Sequence, residues 1–114
     1  PSFNVNNEKI AVRHIYASAI AFFWKEYPDY FARTEVMLGG QRNGKEGFDL
    51  LIDYIQSKPQ DLKEFIKSFL PDSLVKSLDV ENFGWISKLI STDEEEKGIL
   101  IKAAEEYLGG INKG

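Results

Sequence analysis

The stretch "LLIDYIQSKPQDLKEFIKSFL", residues 50–70, decides the fold because two amphipathic segments meet in it at a single proline. On both sides of the proline, apolar residues recur at the i, i+3, i+4, i+7 spacing of one helix face. They are Phe48, Leu51, Ile52 and Ile55 before it, and Leu62, Phe65, Ile66 and Phe69 after it. Pro59 disfavours right-handed helical geometry at Lys58, so one helix should end there and a second should begin at Pro59. We expect Phe48, Leu51, Phe65 and Phe69 to share one core.

A longer helix is predicted ahead of this pair, over residues 8–26, with Asn6 or Asn7 as its N-cap. Its apolar stripe is wide enough to be buried on more than one side. The stripe consists of Val12, Ile15, Ala19, Phe22 and Phe23, widened by Ile20 and Trp24. Another helix is predicted over residues 29–38, and "GGQRNG", residues 39–44, is the clearest loop in the chain.

Three further helices are predicted after the pair. Pro71 precedes a short one over residues 72–78, which carries Leu74, Val75 and Leu78. Asp79 caps the next, whose inner face would hold Val80, Phe83, Ile86, Leu89 and Ile90. The inner face of the last, over residues 93–108, would hold Leu100, Ala103, Ala104 and Tyr107.

The start and the end of this last helix also have sequence signals. Thr92 and Glu95 form a capping-box signature, and Gly109-Gly110 would stop the helix. The acidic run at residues 93–96 would then lie in the first turn, where negative charge complements the helix dipole. The same run could instead be an acidic docking site.

These segments predict an all-α protein, a compact bundle of six or seven short helices. A length of 114 residues and an apolar content of 43% suit one helical domain over residues 1–114. Residues 79–114 either share that core or form an added helical extension.

Composition narrows the classes of function. The formal net charge of −4 argues against general nucleic-acid binding, which needs a positive surface. The chain has no cysteine, which suits a reducing compartment, and we expect a cytoplasmic location. The longest uncharged apolar run, residues 15–24, is too short to cross a bilayer, and no signal peptide is visible.

No motif in the chain establishes a reaction. Residues 39–46 resemble a phosphate-binding loop, but Glu46 stands where that loop needs Ser or Thr. His14 is the only histidine and has no identifiable catalytic partner. We therefore expect a non-enzyme without cofactor or metal. A helix-turn-helix is a weaker alternative, because its second helix would carry Lys63 and Lys67 but also Asp61 and Glu64.

Residues 45–78 resemble the fourth, fifth and sixth helices of a caspase-recruitment domain, a member of the death-fold family. The matching features are a helix with Leu50, Leu51 and Ile55, a short polar turn at residues 57–60, and two helices after it. Those two helices carry Leu62, Phe65, Ile66 and Phe69, and then Leu74, Val75 and Leu78. The alternative is an unrelated orthogonal helical bundle.

The resemblance implies a non-catalytic recruitment or signalling module, of the kind found in innate immunity and attached to viral-RNA-sensing helicases. Such domains bind like domains through opposed charged patches. The basic side would use Arg13, Arg42 and Lys45, and the acidic side Asp29, Glu35, Asp49 or Asp53.

Two other functions stay open. One is a small stand-alone regulatory or inhibitor protein that binds one enzyme. The other, less favoured, is a nucleic-acid module that uses the Arg13, Arg42 and Lys45 side.

Overall fold

The computed structural model describes residues 7–28 and 48–113, with side chains up to Glu106, and these residues form helices and turns without any strand. The helices are α1 (Glu8–Glu26), α2 (Phe48–Gln56), α3 (Gln60–Phe69), α4 (Asp72–Ser77), α5 (Trp85–Ile90) and α6 (Ile99–Lys113). A short 3₁₀ helix, Val80–Asn82, precedes α5. The predicted all-α bundle is confirmed. The helix predicted at residues 29–38 and the loop after it lie outside the described residues.

Helix α1 begins and ends where the sequence predicts. The side chain of Asn7 caps it, since Oδ1 accepts hydrogen bonds from the backbone N–H groups of Lys9 (2.7 Å) and Ile10 (3.3 Å). The buried face of the helix consists of Ala11, Ile15, Ser18, Ala19 and Phe23. The one polar member, Ser18, donates its hydroxyl hydrogen to the carbonyl of His14 (2.8 Å), so its burial leaves no donor unsatisfied.

The other helices pack around α1, which contacts α2, α3, α5 and α6. The fully buried side chains of one hydrophobic cluster come from all five of these helices. They include Ile15 of α1, Leu51 of α2, Ile66 of α3, Leu89 of α5 and Leu100 of α6. Residues before and after position 79 therefore contribute to the same core.

The turn at Pro59 forms as the sequence predicts. Helix α2 closes with hydrogen bonds from Ser57 N to Asp53 O (3.0 Å) and from Lys58 N to Ile55 O (3.2 Å). Lys58 then adopts a left-handed conformation with φ 58°, and Pro59 follows at φ −66° and ψ 122°. Helix α3 begins one residue later than expected, at Gln60, because Pro59 takes the N-cap position.

The helix predicted after Asp79 is interrupted. Asp79 (φ 50°) and Phe83 (φ 60°) are both left-handed and flank the 3₁₀ helix, and Phe83 separates it from α5. Residues two apart in a continuous helix point to different sides. The break lets both Phe83 and Trp85 enter the core, with ring centroids 6.1 Å apart. Trp85 is completely buried, and the sequence pattern did not include it in the inner face.

The last helix starts later and ends later than predicted. Residues 93–96 form a turn, in which Asp93 Oδ1 accepts from Glu95 N (3.0 Å) and Ser91 Oγ accepts from Asp93 N (3.1 Å). These local bonds replace the expected capping box, so the acidic run is not in the first turn of a helix. Helix α6 runs from Ile99 through both glycines to Lys113.

Phe65 is the clearest error in the predicted core. Leu51 is fully buried, and Phe48 and Phe69 pack partly buried against the core, but Phe65 is 45% exposed. The buried residues of α3 are Leu62 and Ile66, and Phe65 lies at the edge of the helix face that they form. The expectation that Phe48, Leu51, Phe65 and Phe69 share one core is therefore wrong for Phe65.

The left-handed geometry of Lys58 predicts a gain in stability from Lys58→Gly. Glycine adopts positive φ without a steric penalty, so the free energy of unfolding should rise by about 0.5–1 kcal/mol. The matched control Lys76→Gly, inside α4, should lower it by about 1 kcal/mol. Urea unfolding measures both, and a loss at both positions would contradict the left-handed turn.

Gly98 should tolerate no larger residue, because a Cβ atom there would overlap the backbone of Leu89 in α5. Gly98→Ala is expected to lower the free energy of unfolding by about 2–3 kcal/mol. Glu96→Ala, in the same loop but exposed, should change it by less than about 0.5 kcal/mol. Thermal unfolding of the pair tests this, and equal melting temperatures would disprove the close contact.

Candidate functional site

The structure describes three of the seven residues predicted to bind a partner. Arg13 is exposed on α1, and Asp49 and Asp53 are exposed on α2. The other four, Asp29, Glu35, Arg42 and Lys45, lie outside the described residues. The role assigned to each of the seven stays a prediction.

Arg13 belongs to a basic groove of about 570 Å³, formed by α1, α5 and α6. Its cations are Lys9, Arg13, Lys88 and Lys102, all exposed, around an apolar floor of Val12 and Ile99. Glu8 is the one carboxylate in its lining, and its Oε2 lies 3.2 Å from Lys88 Nζ.

Part of this groove could have been predicted from the sequence. Lys9 and Arg13 are four residues apart and so share one face of α1. Lys88 and Lys102 come from distant helices, and no local pattern places them beside Arg13. Sequence reasoning missed Lys9, Lys88 and Lys102 as neighbours.

A second surface is a row of aromatic rings where α1 meets α3, which we name the aromatic seam. It consists of His14, Phe69, Phe65 and Phe22 in that order. Ring centroids are 5.6 Å apart for His14 and Phe69, and 5.5 Å for each of the next two pairs. Lys25 Nζ lies 4.6 Å from the centroid of the Phe22 ring, so a cation closes one end of the row.

The exposed face of α1 continues the seam. Ile10, His14, Ala17 and Ala21 follow the i, i+4, i+7, i+11 spacing of one helix face, and Ile10 is 41% exposed. A shallow depression of about 290 Å³ lies at this face, against Ile10, Arg13, His14 and Ala17. Isolated exposed apolar residues are ordinary, but a connected set is typical of a binding surface.

Both lysines of α3 form ion pairs with a carboxylate of the same domain, that of Glu81. Lys63 Nζ lies 3.6 Å from Glu81 Oε1, and Lys67 forms an ion pair with the same carboxylate. Lys63 also lies 5.3 Å from the centroid of the Phe83 ring. These are the two cations that a DNA-reading helix would have offered, so the geometry does not favour that alternative.

In residues 7–28 and 48–106, no three His, Cys, Asp or Glu side chains are close enough together to hold a metal ion. None of the helices in this part of the chain has the length and apolarity needed to cross a bilayer.

The surroundings of Tyr54 define an acidic region at the other end of α1 from the basic groove. Burial, together with the negative charges of Asp61 and Glu26, raises the pKa of Tyr54 to about 12. Its hydroxyl therefore stays protonated at neutral pH, and the carboxylates of Asp61 and Glu26 make up this acidic region.

Comparisons with protein-family models, curated proteins and solved structures found no match to this chain.

The Glu81 contact predicts a pH dependence. The hydrogen bond from Lys67 holds the pKa of the Glu81 carboxyl below its ordinary value of 4.5. The contribution of Glu81 to stability is therefore complete at neutral pH and is lost as pH falls through its lowered pKa.

Glu81→Gln should be less stable than the parent at neutral pH, and the difference should shrink toward zero in acid. Urea unfolding at both pH values measures it. Glu95→Gln is the control, since no ion pair joins Glu95 to the rest of the described residues. A difference for Glu81→Gln that persists unchanged in acid would contradict the assignment.

Proposed function

We propose that this domain is a non-catalytic protein-binding module that uses the aromatic seam to dock a partner protein. The observation that carries the proposal is the 45% exposure of Phe65 within a connected row of four rings. Aromatic side chains that stay exposed lose little conformational entropy when a partner covers them. The partner would present an apolar helix face to the seam, and its acidic residues would lie near Lys25.

The narrower form of the proposal is a recruitment domain that binds a like domain in a signalling protein. Its support is the sequence resemblance together with the succession of α2, α3 and α4, which covers the resembling residues. In this form the partner would be a helical domain of similar size, and the complex would weaken with added salt.

Phe65→Ser tests the proposal. Because Phe65 is half exposed, its loss should lower the free energy of unfolding by only about 1 kcal/mol, whereas fully buried Leu62→Ala should lose about 2–5 kcal/mol. The folded variant should bind a partner at least about tenfold more weakly, as expected for a central aromatic contact.

The measurement uses a partner that is first captured with the parent domain and then purified. Isothermal titration calorimetry compares the parent, Phe65→Ser and Tyr27→Ser. Tyr27 is the matched control, since it is 37% exposed but packs on Phe23, outside the seam. Equal affinity for the parent and Phe65→Ser would refute the role of the seam.

A further inference from the structure

We infer that the basic groove binds an acidic peptide segment of a partner protein, with an apolar side chain of that segment against Val12 and Ile99. This groove contains none of the four rings of the aromatic seam and shares only Arg13 with the depression beside it, and the inference does not depend on the function proposed above. It rests on the charge, floor and helix geometry of the groove.

The charge in the groove is uneven and largely unneutralised. Lys88 has Glu8 as its partner, but no carboxylate of residues 7–28 or 48–106 lies within ion-pair distance of Lys9, Arg13 or Lys102. This gathering of cations runs against the formal net charge of −4. Like charges on three packed helices repel one another, and a bound anion would relieve that repulsion.

Two helix starts add to the positive potential. The first turn of α1 contributes Glu8 and Lys9, and the first turn of α6 contributes Ile99 and Lys102. Both helices are long enough to carry a full macrodipole, with its positive end at the groove. Side-chain charge and backbone dipoles therefore act in the same direction.

The apolar floor of the groove favours an acidic peptide over other anions. Val12 and Ile99 are half buried and pack against the core, so they offer apolar surface between the cations. A free phosphate would leave that surface exposed to water. A single-stranded nucleic acid binds best where aromatic side chains stack on its bases, and the groove lining has none. A peptide segment that alternates carboxylates with an aliphatic residue can place its carboxylates beside the cations at the rim and its aliphatic side chain on the apolar floor.

The test uses a fluorescein-labelled peptide, Glu-Leu-Glu-Glu-Leu-Glu, and fluorescence anisotropy with the folded parent domain. Arg13→Glu combined with Lys102→Glu should weaken binding at least about tenfold, because like charges then face the peptide. Lys58→Glu combined with Lys76→Glu makes the same change in net charge outside the groove and should have little effect. Removing the one carboxylate by Glu8→Gln should strengthen binding.

Further binding measurements distinguish the possible occupants of the basic groove. A peptide with serine in place of leucine should bind more weakly, and Phe65→Ser should bind the parent peptide normally. Equal binding by the charge-reversed variant would overturn the inference. It would also be overturned if inorganic phosphate alone displaced the peptide, or if a single-stranded oligonucleotide bound more tightly. Self-association of the parent domain in sedimentation velocity that is lost when Arg13→Glu and Lys102→Glu are combined would overturn it too, because a second copy, through its acidic region near Tyr54, would then be the occupant.

Discussion

The burial of one face of α1 is the constraint on which the rest of the structure depends. Ala11, Ile15, Ala19 and Phe23 have no exposed surface, and four other helices reach the core by packing against α1. The alanines let neighbouring helices approach, while the larger side chains fill the space between them. The margins of the same helix carry both surface features. His14 and Phe22 contribute to the aromatic seam, and Glu8, Lys9, Val12 and Arg13 to the basic groove.

The parts of the fold that depend on local chemistry could be predicted from the sequence. The bounds of α1 follow from the Asn7 cap and helical spacing, and the turn between α2 and α3 follows from Pro59. Both signals act through neighbouring residues, so a short stretch contains all the information. The all-α class follows because the same spacing recurs along the chain.

The errors fall where a distant contact decides the structure. A continuous helix from Asp79 satisfies the local pattern, but burial of both Phe83 and Trp85 requires a break. The capping-box signature at Thr92 forms no helix cap, because residues 93–96 form a turn that leads to Gly98, packed against Leu89. Phe65 has the right spacing for the core, but α3 is rotated so that Leu62 and Ile66 fill it. The groove likewise needs Lys88 and Lys102, whose positions only the packing of α5 and α6 determines.

The central position of α1 also bears on synthesis of the protein. Helices α2, α3, α5 and α6 all follow α1 in the chain, so α1 leaves the ribosome before these four helices that pack on it. The apolar face of α1 stays uncovered until residues near position 100 have been synthesised, because Leu100 belongs to the same core. Contacts between residues so far apart in the chain also form slowly. During that interval the face is open to chaperones and to aggregation. Mutations that delay docking of α5 or α6 would therefore reduce the yield of folded protein even where the finished domain is stable.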